Sequence, residues 1–154
     1  DYSFKGRGKS NWRTAIILEE LIDALKNYCP ETKLEVRLHP KNEIEQFDLW
    51  KDEITFDKIN DPLESVWKAD FIFGMSSNLL VEAILLDKNV LSILPRLKEK
   101  EWLYELKTDI IPTVFNRLDL DKKIKYFANN DSKCLENEIL VDKRKSISQL
   151  IMSM

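Results

Sequence analysis

Two adjacent serines, Ser76 and Ser77, separate an apolar segment that ends at Gly74 from a second apolar segment. The pattern predicts a buried strand, a turn, and a helix that begins near the two hydroxyls. A helix start offers unpaired N–H groups and the positive end of the helix dipole. Because open α/β sheets bind ligands at the carboxyl ends of their strands, the turn is a candidate anion site that includes Gly74. The alternative is simple capping, for which serine is a preferred residue.

Glu82 lies in the predicted helix that follows the serines, and apolar residues surround it on the helical wheel. A helix that is apolar on every side is expected to be buried on both faces. A carboxylate in such a place requires a partner. Either the ribose diol of a bound nucleotide or a nearby Lys or Arg would supply one.

The single histidine of the chain, His39, precedes Pro40 at the end of a run in which apolar and charged residues alternate. The alternation predicts a strand whose Arg37 and His39 share the face opposite to the core. Pro40 ends this strand, which places His39 at the carboxyl tip. Because parallel strands end at one edge of a sheet, we expect these two residues and the serines to converge into a phosphate or diphosphate cradle.

Helical periodicity and short apolar segments alternate along the chain, beginning with an amphipathic helix at residues 12–28. This order predicts an α/β fold with right-handed crossovers: an open parallel sheet in a Rossmann-like three-layer sandwich. Three neighbouring strands of that sheet are predicted at residues 34–38, 70–73 and 90–94. Residues 1–11 resemble a loop where such a sheet usually starts with a strand. The single domain of residues 1–154 is therefore expected to be a fragment of a larger two-domain protein.

The composition limits the classes of function. The 154 residues are 44% hydrophobic and 33% charged, which is ordinary for one globular domain. A net charge of -3 provides no basic field for nucleic acid. One histidine and two widely separated cysteines do not make a metal site, so no metal or other cofactor is expected. Cys29 and Cys134 are expected to be free thiols of a cytoplasmic protein.

The basic segment FKGRGKS at residues 4–10 contains a Gly-Lys-Ser triplet. It does not match a P-loop, because Ser3 occupies the position where that motif requires its first glycine. The segment is interpreted as a basic flexible loop. The alternative is a phosphate-facing loop made of Lys5, Arg7 and backbone amides.

The sequences RLHP at residues 37–40 and GMSS at residues 74–77, followed by EA and DKNVLS, carry a resemblance. Together they resemble the carboxyl-terminal nucleotide-binding domain of GT-B fold glycosyltransferases. The similarity is greatest to the bacterial sialyltransferase and polysialyltransferase type, and extends to CDP-glycerol glycerophosphotransferases. It implies that His39, Ser76 and Ser77 contact the phosphate of the donor nucleotide, and that Glu82 binds the donor ribose.

The resemblance implies the donor-binding half of a transferase that uses a CMP- or CDP-activated sugar or polyol in surface polysaccharide synthesis. Such enzymes keep their catalytic acidic residue in an amino-terminal domain, so the chain alone is expected to be inactive. The basic, amphipathic residues 143–154 suggest docking on that missing domain or peripheral membrane association. The alternatives are a non-catalytic α/β module that binds a nucleotide or a protein, and a sugar-nucleotide epimerase of related fold.

Overall fold

The computed structural model describes residues 3–7 and 12–129, and within them the chain is mixed α/β. Helices and short strands alternate as the periodicity predicts. The helices are α1 (Arg13–Tyr28), α2 (Pro62–Lys68), α3 (Asn78–Leu85), α4 (Tyr104–Lys107) and α5 (Arg117–Asn129). The strands are β1 (Glu35–Val36), β2 (Thr55–Phe56), β3 (Phe71–Gly74), β4 (Asn89–Ile93) and β5 (Thr113–Val114). Two 3₁₀ helices follow β1 and β4, at Ile44–Trp50 and Leu97–Trp102.

All the strand pairings within these residues are parallel, as predicted. Strands β3, β4 and β5 form one sheet with β4 in the centre. The prediction of a single sheet is wrong, because β1 pairs with β2 in a separate sheet, with Glu35 opposite Thr55. The chain returns beside β1 directly after the first 3₁₀ helix. Strand β2 therefore lies beside β1, where the sequence interpretation expected the strand at residues 70–73.

The central strand β4 is buried on both faces. Leu91 and Ile93 face a core that α1 and α5 share with it. Val90, at the alternate position, and Leu94, just beyond the strand, face a second core built with α2, α3 and α4. Because successive side chains of a strand point to opposite faces, this alternation places helices on both sides of the sheet.

Helix α1 connects the two sheets. Ile17 and Leu21 pack into the core beside β4. Leu18 and Ile22 pack into a third core, which contains the first 3₁₀ helix and the side chains of β1 and β2. Ten of the eleven residues 15–25 are buried, so the helix is covered on most of its circumference and can make both contacts.

The amino-terminal segment, residues 3–7, is attached to the carboxyl end of β4. The Ser3 amide and hydroxyl both donate to the Pro95 carbonyl, each at 2.8 Å. The Phe4 side chain is only 3% exposed and belongs to the core between α1 and β4. The segment is therefore part of the packed structure.

Two buried carboxylates of α1 bind the backbone of this segment. Glu20 Oε1 accepts from the amides of Lys5 (3.1 Å) and Gly6 (2.8 Å), and Glu19 Oε2 accepts from the amide of Arg7 (2.6 Å). Gly6 has φ +60, and an added Cβ would lie 2.6 Å from Glu19 Oε2, so this position requires glycine. These amides are occupied by carboxylates. The prediction of a flexible loop is wrong for residues 5–7, and its phosphate-facing alternative does not apply to their amides.

The sequence predictions about the two cysteines and the basic carboxyl-terminal residues can be compared with the structure only in part. Cys29 is a free thiol, and burial raises its pKa. Cys134 and the basic residues 143–154 lie outside the described part of the chain. Between residues 12 and 129, none of the helices has the length and apolar composition that crossing a bilayer requires.

Candidate functional site

The serine turn, residues 75–77, connects the end of β3 to the start of α3. Ser77 is the N-cap of the helix: its Oγ accepts from the Leu79 amide at 3.3 Å, and its carbonyl accepts from the Leu80 amide at 3.0 Å. The Ser92 hydroxyl of β4 donates to the Met75 carbonyl at 2.6 Å and so fixes the turn against the sheet. The capping role that the sequence left open for one serine is thus observed for Ser77.

Ser76 is partly buried and takes no part in the cap. Within the described residues, its hydroxyl has no hydrogen-bond partner, and the amides of Ser76, Ser77 and Asn78 bind no acceptor. Unpaired N–H groups at a helix start carry the positive end of the helix dipole. One hydroxyl and three amides at the carboxyl end of β3 are therefore available to an anion.

Gly74 ends β3 beneath this turn. A Cβ added there would lie 2.9 Å from Leu80 Cδ2, so the glycine allows the first turn of α3 to pack closely on the strand. Gly74 therefore contributes to the candidate site by letting the start of α3 lie close to the backbone at the end of β3.

Glu82 is exposed on α3, and the expectation of a helix covered on both faces is wrong. Leu80, Ala83 and Ile84 pack into the core, whereas Leu85 is 43% exposed and lies with Glu82 on the solvent side. The sheet covers only one side of this short helix, so its outward apolar residues stay in water. The carboxylate consequently needs no internal partner and is accessible to a ligand.

His39 lies in an exposed turn beyond the end of β1, at the carboxyl tip that the sequence predicts. Its Nδ1 accepts from the Lys41 amide at 3.2 Å, and its carbonyl accepts from the Asn42 amide at 2.8 Å. The hydrogen bond at Nδ1 holds the ring against its own turn and leaves Nε2 on the exposed side for a ligand.

Arg37 is bound within the protein. Nη1 donates to Asp57 Oδ2 (2.6 Å), to the Ile59 carbonyl (2.7 Å) and to Ser65 Oγ (3.1 Å), and Nη2 donates to the Asn60 carbonyl (2.9 Å). The guanidinium therefore joins β1 to the segment after β2 and to α2.

The carboxylate that binds Arg37 is buried: the Asp57 side chain is 3% exposed. Burial raises the pKa of Asp57, but hydrogen bonds from the Ser65 hydroxyl, the Ile59 amide and Arg37 outweigh it and hold the pKa below its ordinary value. Asp57 is therefore ionised and needs Arg37, which gives Arg37 a structural role.

The start of α1 contacts both 3₁₀ helices. The Trp12 ring packs 5.2 Å from the Phe47 ring of the first 3₁₀ helix, which follows the His39 turn. On its other side, the neighbouring Arg13 bonds to Glu99 in the second 3₁₀ helix, beyond β4. These contacts do not include His39 or the serine turn, and no hydrogen bond joins those two among residues 12–129, so their convergence stays a prediction.

A cluster of Arg13, Arg96 and Glu99 beyond the end of β4 is absent from the sequence interpretation. Arg13 Nε donates to Glu99 Oε2 at 2.8 Å, with Nη2 bonded to the same oxygen, and Arg96 Nε donates to Glu99 Oε1 at 2.5 Å. The Glu99 side chain is fully buried. The Arg13 guanidinium lies 4.8 Å from the centre of the Trp102 ring. The sequence contained one indication of this cluster, because Arg96 follows the end of β4 as closely as the serines follow the end of β3.

The described residues contain no group of three or more His, Cys, Asp or Glu side chains placed to hold a metal ion. Comparisons of the chain with protein-family models, curated proteins and solved structures found no match.

Proposed function

We propose that this chain binds the phosphate of a nucleotide at the serine turn, and that it is the donor-binding half of a GT-B type glycosyltransferase. The observation that carries the proposal is the unpaired Ser76 hydroxyl beside the three amides that begin α3. Hydroxyl and amide donors at the amino end of a helix suit an anion. The parallel strands and the helices on both faces of β4 support a Rossmann-like sandwich as the scaffold.

Two accessible side chains, those of His39 and Glu82, are proposed to make further contacts with the nucleotide. His39 presents an imidazole nitrogen, which can donate to a phosphate oxygen. Glu82 is exposed on α3, the helix that the serine turn begins, and its carboxylate can accept from both hydroxyls of a ribose. Arg37, which already binds Asp57, is left out of the proposed contacts.

In the proposed reaction the chain holds the leaving nucleotide. As the bond between the leaving nucleotide and the transferred sugar or polyol phosphate breaks, negative charge grows on the phosphate of the nucleotide. Donors fixed at the serine turn stabilise that charge without reorganising. The donor would be a CMP- or CDP-activated sugar or polyol, the acceptor a surface polysaccharide, and the acidic residue would come from an amino-terminal domain. The setting proposed is the cytoplasmic side of a membrane, with peripheral association.

Isothermal titration of the chain with CMP and CDP tests the proposal. Ser76→Ala removes a hydroxyl donor and His39→Ala removes the imidazole, and each is expected to weaken nucleotide binding about tenfold, the effect of losing one charge-assisted hydrogen bond. Neither variant should unfold the protein, because His39 is exposed and the Ser76 hydroxyl has no described partner.

Two exposed charged residues outside the proposed site serve as controls. Lys33 is exposed before β1, at the end opposite His39, and Lys33→Ala should leave binding unchanged. Glu82→Gln should abolish any preference for CMP over 2′-deoxy-CMP, whereas Glu45→Gln, an exposed acidic position in the first 3₁₀ helix, should not. Equal nucleotide affinity in wild type, Ser76→Ala and His39→Ala would overturn the proposed site.

A further inference from the structure

Strands β1 and β3 each have one edge without a neighbouring strand. Strand β1 pairs only with β2 and β3 only with β4, and within the described residues no hydrogen bond joins β1 to β3. The Val36 carbonyl is bonded on the β2 side, so alternation directs the amide and carbonyl of Glu35 to the open edge of β1. Ser92 of β4 donates toward β5, so the register of β4 with β3 leaves the amides of Phe71 and Phe73 at the open edge of β3. Open edges of this kind accept a further strand.

Helix α1 shows on which side of the larger sheet the β1–β2 pair lies. Helix α5 begins just after β5, whereas the start of α1 bonds through Arg13 to Glu99, beyond β4. The direction from α5 to α1 is therefore the direction from β5 toward β3. The β1–β2 pair packs on another side of α1 from the core that α5 shares, so it lies beyond α1, on the β3 side.

Within that pair, β1 is the strand nearer to β3. Leu34, directly before β1, packs against the core of α1 and β4, and Phe73 of β3 packs against the same core. Phe56 of β2 packs only against the core of the first 3₁₀ helix. The open edges of β1 and β3 therefore face each other.

The strands of both sheets run in the same direction. Helix α1 begins at the carboxyl end of β4, where Arg13 bonds to Glu99, and packs back along the strand, so it is antiparallel to β4. In its last turn Lys26 contacts Glu53, just before β2 begins, so the helix is also antiparallel to β2. Strands that are antiparallel to one helix are parallel to each other. A strand added parallel to β1 is thus parallel to β3 as well.

The amino-terminal segment lies where such a strand would end. The Ser3 amide donates to the Pro95 carbonyl at 2.8 Å, beyond the carboxyl end of β4. A parallel strand that precedes Ser3 ends at this edge and leads directly into α1. Because α1 and the first 3₁₀ helix pack into one core, a crossover from that strand through α1 to β1 has the same hand as the crossover from β1 to β2.

We propose that residues preceding residue 1 form a strand between β1 and β3. This strand pairs with both open edges and joins the two sheets into one, in the order β2, β1, added strand, β3, β4, β5. Because helices cover both faces of a parallel sheet, the segment is an apolar run rich in Val, Ile and Leu. The inference does not rest on the proposed function. It would place His39 and the serine turn after strands that are two places apart, a separation of about 10 Å.

Amide hydrogen exchange, measured by NMR, tests the inference on two forms of the protein. One is the chain of residues 1–154, and the other extends it by the residues that the gene encodes upstream of residue 1. The amides of Glu35, Phe71 and Phe73 are expected to exchange at least about tenfold more slowly in the extended form, because each gains a hydrogen bond within the sheet. Thr113 is the matched control: its amide points to the outer edge of β5, which gains no neighbour, and should exchange alike in both forms.

Glu35→Pro provides a second comparison. Glu35 is exposed and its amide points away from β2, so proline removes no hydrogen bond from the chain of residues 1–154 and should leave its melting temperature nearly unchanged. In the extended form the same change removes a bond between strands, and should lower the melting temperature by several degrees.

Equal exchange of the three amides in both forms overturns the inference, as does an upstream sequence without an apolar run of strand length. Protection of these amides in residues 1–154 that increases with protein concentration also overturns it, because a second copy would then occupy the open edges. The proposed function is tested separately, since the titrations of Ser76→Ala and His39→Ala use the chain of residues 1–154 alone.

Discussion

At the scale of single residues, the buried charges are bound within the protein, and the groups available to a ligand are exposed or lack a partner. The carboxylates of Glu19, Glu20 and Glu99 are almost fully buried and bind backbone amides or arginines. His39 and Glu82 are exposed. This division separates structural charges from candidate binding groups without any knowledge of the ligand.

Glu53 shows how a structural charge makes stability depend on pH. The Arg7 guanidinium donates to both of its oxygens, at 2.8 and 2.9 Å, and Lys26 also contacts it. The Arg7 hydrogen bonds outweigh partial burial and lower the pKa of Glu53 to about 2. A pKa lowered on folding means that the pairing stabilises fully above the unfolded pKa, and that this contribution is lost as the pH falls toward 2.

The prediction is that wild type loses about 1 to 2 kcal/mol more of its free energy of unfolding than Glu53→Gln when the pH falls from 6 to 3. Urea unfolding at several pH values measures the difference. Glu45→Gln, which removes an exposed carboxylate, should keep the wild-type pH dependence. Parallel curves for wild type and Glu53→Gln would show that the ion pair does not form in solution.

At the scale of elements, the sequence predicted most of what depends on local spacing. Asp61 caps α2 through the Leu63 amide, and Pro62 begins the helix, both as the residue types indicate. The strand before the serines is also confirmed. Each of these follows from residues a few positions apart, which is the range over which caps and periodicity act.

The contacts that the sequence did not predict join residues far apart along the chain. Arg37 was expected to face a ligand because alternation assigned it to the polar side of its strand. Its actual partners, Asp57 and Ser65, come from the segment after β2 and from α2. Glu82 was expected to be buried because α3 is apolar around it, but composition does not state how many sides of a helix the sheet covers. The partners of Arg37 and the exposure of Glu82 are both set by tertiary packing.

A prediction at the element scale tests the role of Arg37. Arg37→Ala leaves the Asp57 carboxylate buried without its cation, and is expected to cost about 3 kcal/mol in the free energy of unfolding. Replacing both residues by apolar ones of similar size, Arg37→Met with Asp57→Leu, should cost much less than the single change, because no buried charge is left over. Chemical denaturation measures both.

If Arg37 instead binds a ligand, as the sequence predicted, the opposite result is expected. It requires that Arg37→Ala leaves the free energy of unfolding almost unchanged while it weakens nucleotide binding. His39→Ala is the matched comparison: its side chain is exposed beyond the same strand, and its loss should affect binding and not stability.

At the scale of the whole molecule, α1 and the amino-terminal segment connect parts that the sheets leave separate. Helix α1 packs against β4 on one side and against the first 3₁₀ helix and the β1–β2 pair on another. Its start contacts the first 3₁₀ helix through Trp12 and the cluster of Glu99 through Arg13. The relative position of the two sheets therefore depends on how firmly α1 is held, and residues 3–7 hold it through Glu19 and Glu20.

Phe4 is the apolar anchor of that segment, and its removal tests this view of the molecule. The ring is 3% exposed in a core that also contains Leu91 and Ile93 of β4. Phe4→Ala should cost about 3 kcal/mol, because it removes the buried ring and leaves a cavity between helix and sheet. Leu118→Ala, at a 65% exposed position of α5, should change stability by less than about 0.5 kcal/mol. Hydrogen exchange should show faster opening of α1 in the Phe4 variant. If both variants unfold like wild type, the segment does not anchor α1 in solution.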